Sequence, residues 1–128
     1  MPHTLPIRVY YEDTDMAGIV YYANYLRYIE RARSDWVRGL GIDQNAMKAQ
    51  GLVFAVRRVE ADYLMPARLD DELVVETEVV QVTGARLLMD QVVRRGKDRL
   101  FHAIVTVVVI SDSGHPARMP ANIRQMLH

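Results

Sequence analysis

The longest periodic pattern in this chain is helical. From Tyr22 to Leu40, apolar side chains recur at spacings of three and four residues, while charged and polar side chains occupy the intervening positions. Gly39 or Gly41 supplies the signal that ends a helix. This pattern predicts one amphipathic helix of about four to five turns. Its apolar positions are Tyr22, Tyr25, Leu26, Ile29, Ala32, Trp36, Val37 and Leu40.

A period of two follows in the second half of the chain. Residues 58–63 and 75–79 alternate charged or polar with apolar side chains, as strands with one exposed face do, and Pro66 separates these two segments. Turn residues at 83–84 and 96–98 then divide residues 72–111 into successive runs. We expect an antiparallel meander with short connections.

Shorter segments complete the pattern. Residues Ile7 to Tyr11 suit a first strand, and residues 43–51 suit a short helix or loop closed by Gly51. Pro120 is acceptable at the start of a final helical turn through Leu127. One long helix with several antiparallel strands predicts an α+β fold in which the apolar helix face packs on the sheet.

Size and composition narrow the choice of function. The chain has 128 residues, half of them hydrophobic, which fits a single domain over residues 1–128. Sixteen basic and 16 acidic residues balance, so we expect no nucleic-acid or membrane-surface partner. No cysteine is present, which excludes disulfides and thiolate catalysis.

The sequence also shows no obvious secretory signal or membrane-spanning segment. Its first residues lack a basic segment followed by an apolar core, and its longest apolar run, Ala103 to Ile110, is too short to cross a bilayer. We expect a cytoplasmic protein without membrane insertion, and a buried strand at Ala103 to Ile110.

An acidic, glycine-bearing loop directly before the long helix is the main candidate for chemistry. Asp13 and Asp15 precede Gly18, and the predicted helix begins at Tyr22. A carboxylate beside a helix N-terminus can attack or deprotonate, while the exposed backbone N–H groups stabilise the oxyanion of an acyl transfer. Transfer from a thioester is the leading hypothesis, and a helix cap or an Asx turn is the structural alternative.

Several blocks of the chain resemble a known family. They are Glu12-Asp13-Thr14-Asp15, Gly18-Ile19-Val20-Tyr21, Tyr25, Glu30-Arg31-Ala32-Arg33 and the segment from Tyr63 to Asp71. The chain resembles the hotdog-fold acyl-CoA thioesterases of the 4-hydroxybenzoyl-CoA thioesterase family, and especially the short bacterial thioesterases associated with the Tol-Pal system. The resemblance implies a hotdog fold, a sheet wrapped around one central helix.

The resemblance also implies roles for individual residues. Asp15 matches the catalytic aspartate, as nucleophile or general base, and Asp13 matches a position that shapes the loop. The backbone N–H of Tyr22 would polarise the thioester carbonyl; some Tol-Pal-associated relatives carry histidine there. The predicted substrate-binding residues are Gly18, Val20, Tyr25 and Arg86, the last as one of several basic candidates for the coenzyme A phosphates.

For the four tyrosines at 21, 22, 25 and 28 we favour core and interface packing over substrate contact. The four histidines show no metal-ligand spacing, so we expect no metal, and no cofactor is needed. His102, in an apolar strand, reads as structural.

The expected partner is acyl-CoA, with acyl carrier protein as an alternative carrier. The family pairs its sheets edge to edge with active sites between subunits, which predicts a homo-oligomer, a dimer or a tetramer. A non-catalytic acyl-CoA or acyl-carrier-protein binding module on the same fold is the main competing hypothesis, and a hotdog dehydratase ranks behind it because no histidine lies near Asp15 in sequence.

Overall fold

Within residues 2–127, which the computed structural model describes, one long helix precedes four long antiparallel strands. The predicted domain bounds, residues 1 and 128, lie outside this range. No helix in residues 2–127 is long and apolar enough to cross a membrane. The strands are β1 (His3–Arg8), β2 (Leu52–Tyr63), β3 (Glu72–Val82), β4 (Arg86–Arg95), β5 (Asp98–Ser111) and β6 (Pro116–Ala117); the helices are α1 (Asn24–Gly39), α2 (Gln44–Ala49) and α3 (Ala121–Leu127).

The strands form one antiparallel sheet in the order β1-β3-β4-β5-β2. The predicted meander is confirmed, with β3, β4 and β5 joined by the two expected turns. Short β6 pairs with Val109 and Ile110 of β5, beyond the last pair of β4 with β5 at Arg86 and Val108. The sheet therefore ends in β1 on one side and β2 on the other.

Helix α1 packs its apolar face on this sheet, so the predicted α+β hotdog arrangement is confirmed. The helix begins at Asn24 rather than at Tyr22, because the Tyr21 carbonyl accepts a hydrogen bond from Asn24 N and closes a turn first. Leu26 and Leu40, predicted on the buried face, are exposed. The helix residues that are buried are Tyr25, Tyr28, Ile29, Ala32 and Val37.

The first strand lies earlier than predicted. Strand β1 pairs with β3 from His3 to Arg8, whereas Tyr11–Asp13 forms a 3₁₀ turn. The Asp13 carboxylate accepts a hydrogen bond from Tyr10 N at 2.8 Å, which favours a turn over continued pairing. The short helices α2 and α3 and the buried strand β5 are confirmed.

Strand β2 departs from the predicted pattern of exposure. Residues 58–63 are exposed at both the charged and the apolar positions. The reason is its place in the sheet, since β2 pairs with β5 on one side and has no strand on the other within residues 2–127. In β2, therefore, the alternation of polar and apolar residues does not mark one buried face, because the strand lies at the open edge of the sheet.

A buried polar network connects α1 to the sheet. Gln91 on β4 is fully buried, and its amide nitrogen donates to the Ile29 carbonyl and to the Thr77 hydroxyl, both at 2.9 Å. Its amide oxygen accepts from Arg33 Nη1 at 3.0 Å. Arg33 is half-buried, and this burial lowers the pKa of its guanidinium. Each polar group in the network needs the others, because an unpaired buried donor or acceptor is costly.

Replacing Gln91 with leucine should destabilise the protein by about 2 to 4 kcal/mol, since the Thr77 hydroxyl and the Arg33 guanidinium each lose a buried partner. Urea unfolding followed by circular dichroism measures the change. The matched control is Gln81→Leu, at an exposed position of β3, which should change stability by less than about 0.5 kcal/mol. Equal effects of the two substitutions would show that the network does not contribute to the free energy of unfolding.

Candidate active site

The acidic loop is a small hairpin that ends just before the long helix. Thr14 pairs with Val20, and Asp15 N donates to the Ile19 carbonyl at 2.9 Å. At its tip Gly18 N donates to the Asp15 carbonyl at 3.0 Å, and Gly18 has a φ of 76°. This left-handed conformation suits glycine, and a residue with a side chain would be strained at this position.

A second segment holds the hairpin in place. Val20 N donates to the Ala67 carbonyl at 2.8 Å, and Ile19 pairs with Arg68. Ala67 N in turn donates to the Tyr25 hydroxyl oxygen at 3.1 Å, which ties the same segment to the first turn of α1. Burial raises the pKa of Tyr25, against the opposing effect of that hydrogen bond. Ala67 thus holds both the acidic hairpin and the first turn of α1.

The buried carboxylate of the loop belongs to Asp13. Its two oxygens accept hydrogen bonds from Tyr10 N at 2.8 Å and from the Asn24 side-chain amide at 2.7 Å, and its carbonyl accepts from Tyr21 N at 2.9 Å. Burial and the neighbouring Asp13 carboxylate raise the pKa of Tyr28 well above its usual range. Asp13 therefore shapes the loop, as predicted.

Asp15, in contrast, is exposed. One carboxylate oxygen accepts a hydrogen bond from Ala17 N at 2.8 Å, which is the Asx turn considered above. The other oxygen accepts no hydrogen bond from residues 2–127. Asp15 does not cap α1, so its carboxylate is oriented by the turn and still available at the surface.

The start of α1 carries no capping side chain. Its N-cap residue is Ala23, no acid occupies the first turn, and Tyr22 N and Ala23 N donate no hydrogen bond to any residue in the described range. Unpaired amides at the positive end of a helix bind anions or oxyanions well. The helix start is thus an open donor site.

An apolar pocket of about 340 Å³, lined in part by Tyr22, lies beside the start of α1. Three tyrosines contribute to its walls: Tyr25 stacks on the buried Phe101 ring at 5.0 Å, and Tyr63 packs against both rings. The Tyr63 hydroxyl donates to the Tyr22 carbonyl at 3.0 Å. The pocket is lined by Ile19, Val20, Tyr22, Tyr25, Tyr63, Leu64, Met65 and Pro66.

The structure brings most, but not all, of the predicted site residues together. Val20, Tyr22 and Tyr25 line the aromatic pocket, and Gly18 and Asp15 lie on the adjoining hairpin. Val93 pairs with Phe101 and so marks the pocket end of β4. Arg86 lies seven residues away from Val93, about 23 Å along the strand. Within one chain, Arg86 does not reach the loop.

A separate cleft of about 290 Å³ lies between α1 and strands β2, β4 and β5. It is lined by apolar side chains such as Phe54 and Met89, with Glu30 and Arg33 at its polar side. It contains no residue of the acidic hairpin. Its long wall is the half of β2 that begins at Leu52.

Packing explains only two of the four neighbouring tyrosines. Tyr25 and Tyr28 are buried as predicted, but Tyr21 and Tyr22 are 47% and 62% exposed, so core packing is wrong for them within this chain. His102 bonds Asp90 at 3.0 Å and is structural, as expected. Residues 2–127 hold no cluster of three or more potential metal ligands.

Sequence reasoning missed Tyr63 as a site residue. Alternation along residues 58–63 assigned it to a strand face, which is correct but says nothing about the helix start 41 positions away. Its position at the end of a strand, directly before a proline-bearing loop within a block that resembles the family, was the available signal.

Comparisons with known proteins agree with this geometry. Residues 9–127 match the model of the thioesterase-like superfamily. The acyl-CoA thioesterase YbgC of Haemophilus influenzae is 41% identical over 128 residues, covering 98% of this chain and 93% of that protein. The acyl-CoA thioester hydrolase YbgC of Escherichia coli O157:H7 is 38% identical over 120 residues, covering 92% and 90%.

A solved structure extends the likeness to three dimensions. The probable thioesterase from Bartonella henselae superposes with a TM-score of 0.88 at 36% identity, over 94% of this chain and 100% of that one. The family match spans the acidic hairpin, the uncapped helix and strands β2 to β6. The chain therefore belongs to the thioesterase-like superfamily, as the residues of its acidic loop predicted.

Proposed function

We propose that this protein hydrolyses acyl-CoA thioesters to a free acid and coenzyme A. The observation that carries the proposal is the uncapped start of α1: the amides of Tyr22 and Ala23 are free, Tyr22 lines an apolar pocket, and the Asp15 hairpin comes directly before the helix. The names of the relatives from Haemophilus influenzae and Escherichia coli describe the same reaction. Thioester cleavage needs a nucleophile or a general base, which a carboxylate supplies, together with donors for the oxyanion.

Asp15 is the proposed reacting carboxylate. As a general base it takes a proton from water while the water oxygen attacks the thioester carbon; as a nucleophile it attacks that carbon itself, and water later cleaves the resulting anhydride. In both routes the carbon–sulfur bond breaks and the sulfur leaves as the thiol of coenzyme A after taking up a proton. The backbone N–H of Tyr22 binds the oxygen that becomes negative.

The same residues support a binding position for the acyl chain. The pocket walls at Val20, Tyr22 and Tyr25 are apolar or aromatic and suit the part of the substrate next to the thioester, with Gly18 allowing close approach at the loop. Acyl carrier protein remains the alternative carrier. A cytoplasmic location and a single domain over residues 1–128 stay predictions.

A homo-oligomer follows from the edge of the sheet. Residues 58–63 of β2 are exposed and lack a neighbouring strand, and sheet edges of this kind pair with another chain. Antiparallel pairing of two β2 strands would set the Leu52 half of one, which walls the 290 Å³ cleft, beside the Tyr63 end of the other. Each site would then combine the hairpin of one subunit with the cleft of its partner.

This pairing also suggests how Arg86 takes part. Arg86 lies in the same row of the sheet as Ala55 and Val108, on the Leu52 side. In the proposed dimer that side approaches the partner's hairpin, so Arg86 can serve a coenzyme A phosphate there. Two other basic residues, Arg94 and Arg95, are already paired, with Glu76 and with Asp71 at 2.8 Å respectively.

A non-catalytic binding module remains the alternative function. The exposed Asp15 carboxylate, held in an Asx turn, is compatible with both. Hydrolysis of acyl-CoA, followed with a thiol-detecting reagent across aromatic and aliphatic substrates, separates them.

Replacing Asp15 with asparagine should lower kcat by at least about a hundredfold, the scale of losing a general base, because size and most hydrogen bonding are kept while the charge is lost. Isothermal titration should show near-native affinity for acyl-CoA, since the oxyanion donors are backbone groups. Undiminished turnover by a folded Asp15→Asn variant would refute the assignment.

Two further aspartates serve as controls for that variant. Asp70→Asn removes an exposed loop carboxylate at a φ of 70°, which asparagine also tolerates, and should leave kcat unchanged. Asp13→Asn should act mainly on stability, because Asp13 is buried and hydrogen-bonded to the loop.

Light scattering at micromolar concentration should give at least twice the monomer mass. Substituting glutamate for Val59, at the centre of the exposed β2 edge, should shift the mass toward the monomer and lower activity together, because an added charge at this apolar position opposes strand pairing. A monomeric native protein that hydrolyses acyl-CoA would overturn the shared site.

Recognition of coenzyme A should depend on salt through KM. Raising ionic strength from about 0.05 to 0.5 M should increase KM and leave kcat nearly constant, because screening weakens contacts to phosphate. Arg86→Gln should raise KM at low salt and flatten its salt dependence, whereas Arg38→Gln at the exposed end of α1 should do neither. A fall in kcat alone would remove the support for Arg86.

A further inference from the structure

The hydroxyl of Tyr63 makes a hydrogen bond that the sequence pattern did not anticipate. Tyr63 ends β2, yet its hydroxyl donates to the Tyr22 carbonyl at 3.0 Å, directly before the start of α1. Burial, together with the neighbouring tyrosines Tyr22 and Tyr25, raises the pKa of Tyr63. The hydroxyl therefore keeps its proton near neutral pH and acts as a donor.

This bond acts on the peptide group that links Tyr22 to Ala23. The group is planar and trans, so its carbonyl and its N–H point in opposite directions. A donor that fixes the carbonyl also fixes the direction of Ala23 N, which makes no hydrogen bond to residues 2–127. Polarisation along the group strengthens that N–H as a donor in turn.

Three aromatic neighbours orient the Tyr63 ring. Its centroid lies 5.0 Å from that of Phe101, 5.6 Å from that of Tyr25 and 6.2 Å from that of Tyr22, all in edge-to-face geometry. Phe101 is fully buried and Tyr25 nearly so, while Tyr63 is 49% exposed. These contacts restrict the ring on its inner side and direct its hydroxyl to the Tyr22 carbonyl.

We propose that Tyr63 is a positioning residue that aligns the Tyr22–Ala23 peptide, so that the amides at the start of α1 are aimed at the thioester carbonyl before the substrate arrives. The inference rests on the proposed thioesterase function and extends it to a residue on another strand. The Ala23 amide becomes a second oxyanion donor beside that of Tyr22. Preorganised donors lower the barrier because they need no reorganisation during the reaction.

The variant Tyr63→Phe removes only the hydroxyl and keeps every ring contact. It should lower kcat by about three- to tenfold, the effect of one hydrogen bond, with KM within twofold of native. The matched control is Tyr11→Phe, which deletes an 83% exposed hydroxyl that bonds no residue in the described range, and should change neither constant. Native kcat in Tyr63→Phe, or a rise in KM alone, would overturn the proposal.

A spectroscopic measurement tests the same idea without turnover. Benzoyl-CoA carrying ¹³C at the carbonyl is bound to Asp15→Asn, and the infrared carbonyl band is compared with that of the free thioester. Donors at the helix start should shift the band to lower frequency, and adding Tyr63→Phe should reverse a clear part of the shift, whereas adding Tyr11→Phe should not.

The outcomes separate the two proposals. An equal shift with and without the Tyr63 hydroxyl overturns the positioning role while leaving the thioesterase function standing. No shift in Asp15→Asn, together with no hydrolysis by the native protein, overturns the proposed function itself and the positioning role with it. Thermal unfolding of each variant confirms that the comparison is made between folded proteins.

Discussion

The buried carboxylate of Asp13 is the constraint on which the candidate site depends. It joins the end of the first strand, through Tyr10 N, to the start of the long helix, through the Asn24 side chain, while its own carbonyl holds Tyr21 N. A carboxylate removed from water must be hydrogen-bonded, so these contacts are costly to break. All of these hydrogen bonds involve one residue. They therefore fix the position of the loop once the helix has packed on the sheet.

That arrangement divides two similar acids between two roles. Asp13 is buried and committed to structure, whereas Asp15, two residues later, is exposed, with one oxygen held in an Asx turn. The helix could have used either acid as a cap, and it uses neither. The amides of Tyr22 and Ala23, directly before the helix, consequently stay unpaired. The missing cap sacrifices some helix stability, of the order of 1 kcal/mol, and leaves donors free for a ligand.

The remaining features place this site at the border of the chain rather than at its centre. The aromatic pocket adjoins the Tyr63 end of β2, and the separate cleft flanks the Leu52 end of the same strand. Between them, β2 exposes an unpaired edge. The two pockets therefore lie at opposite ends of one open strand, which is the reason for proposing that a second copy completes the site. Inside the chain, the Gln91 network keeps the helix in register with the sheet so that these pockets face the same edge.

The α+β class, the long helix and the meander could be predicted from the sequence, because periodicity and turn chemistry are local. The family could be predicted too, because the acidic loop is a contiguous motif, and the resemblance to that family pointed to Asp15. Only the tertiary structure decided that Tyr21 and Tyr22 are exposed, that Arg86 lies far from the loop within one chain, and that Tyr63 bonds the Tyr22 carbonyl. These facts depend on which strand neighbours which and on which edge stays open. Strand order brings together residues 40 or more positions apart, and no local pattern of side chains encodes such a contact.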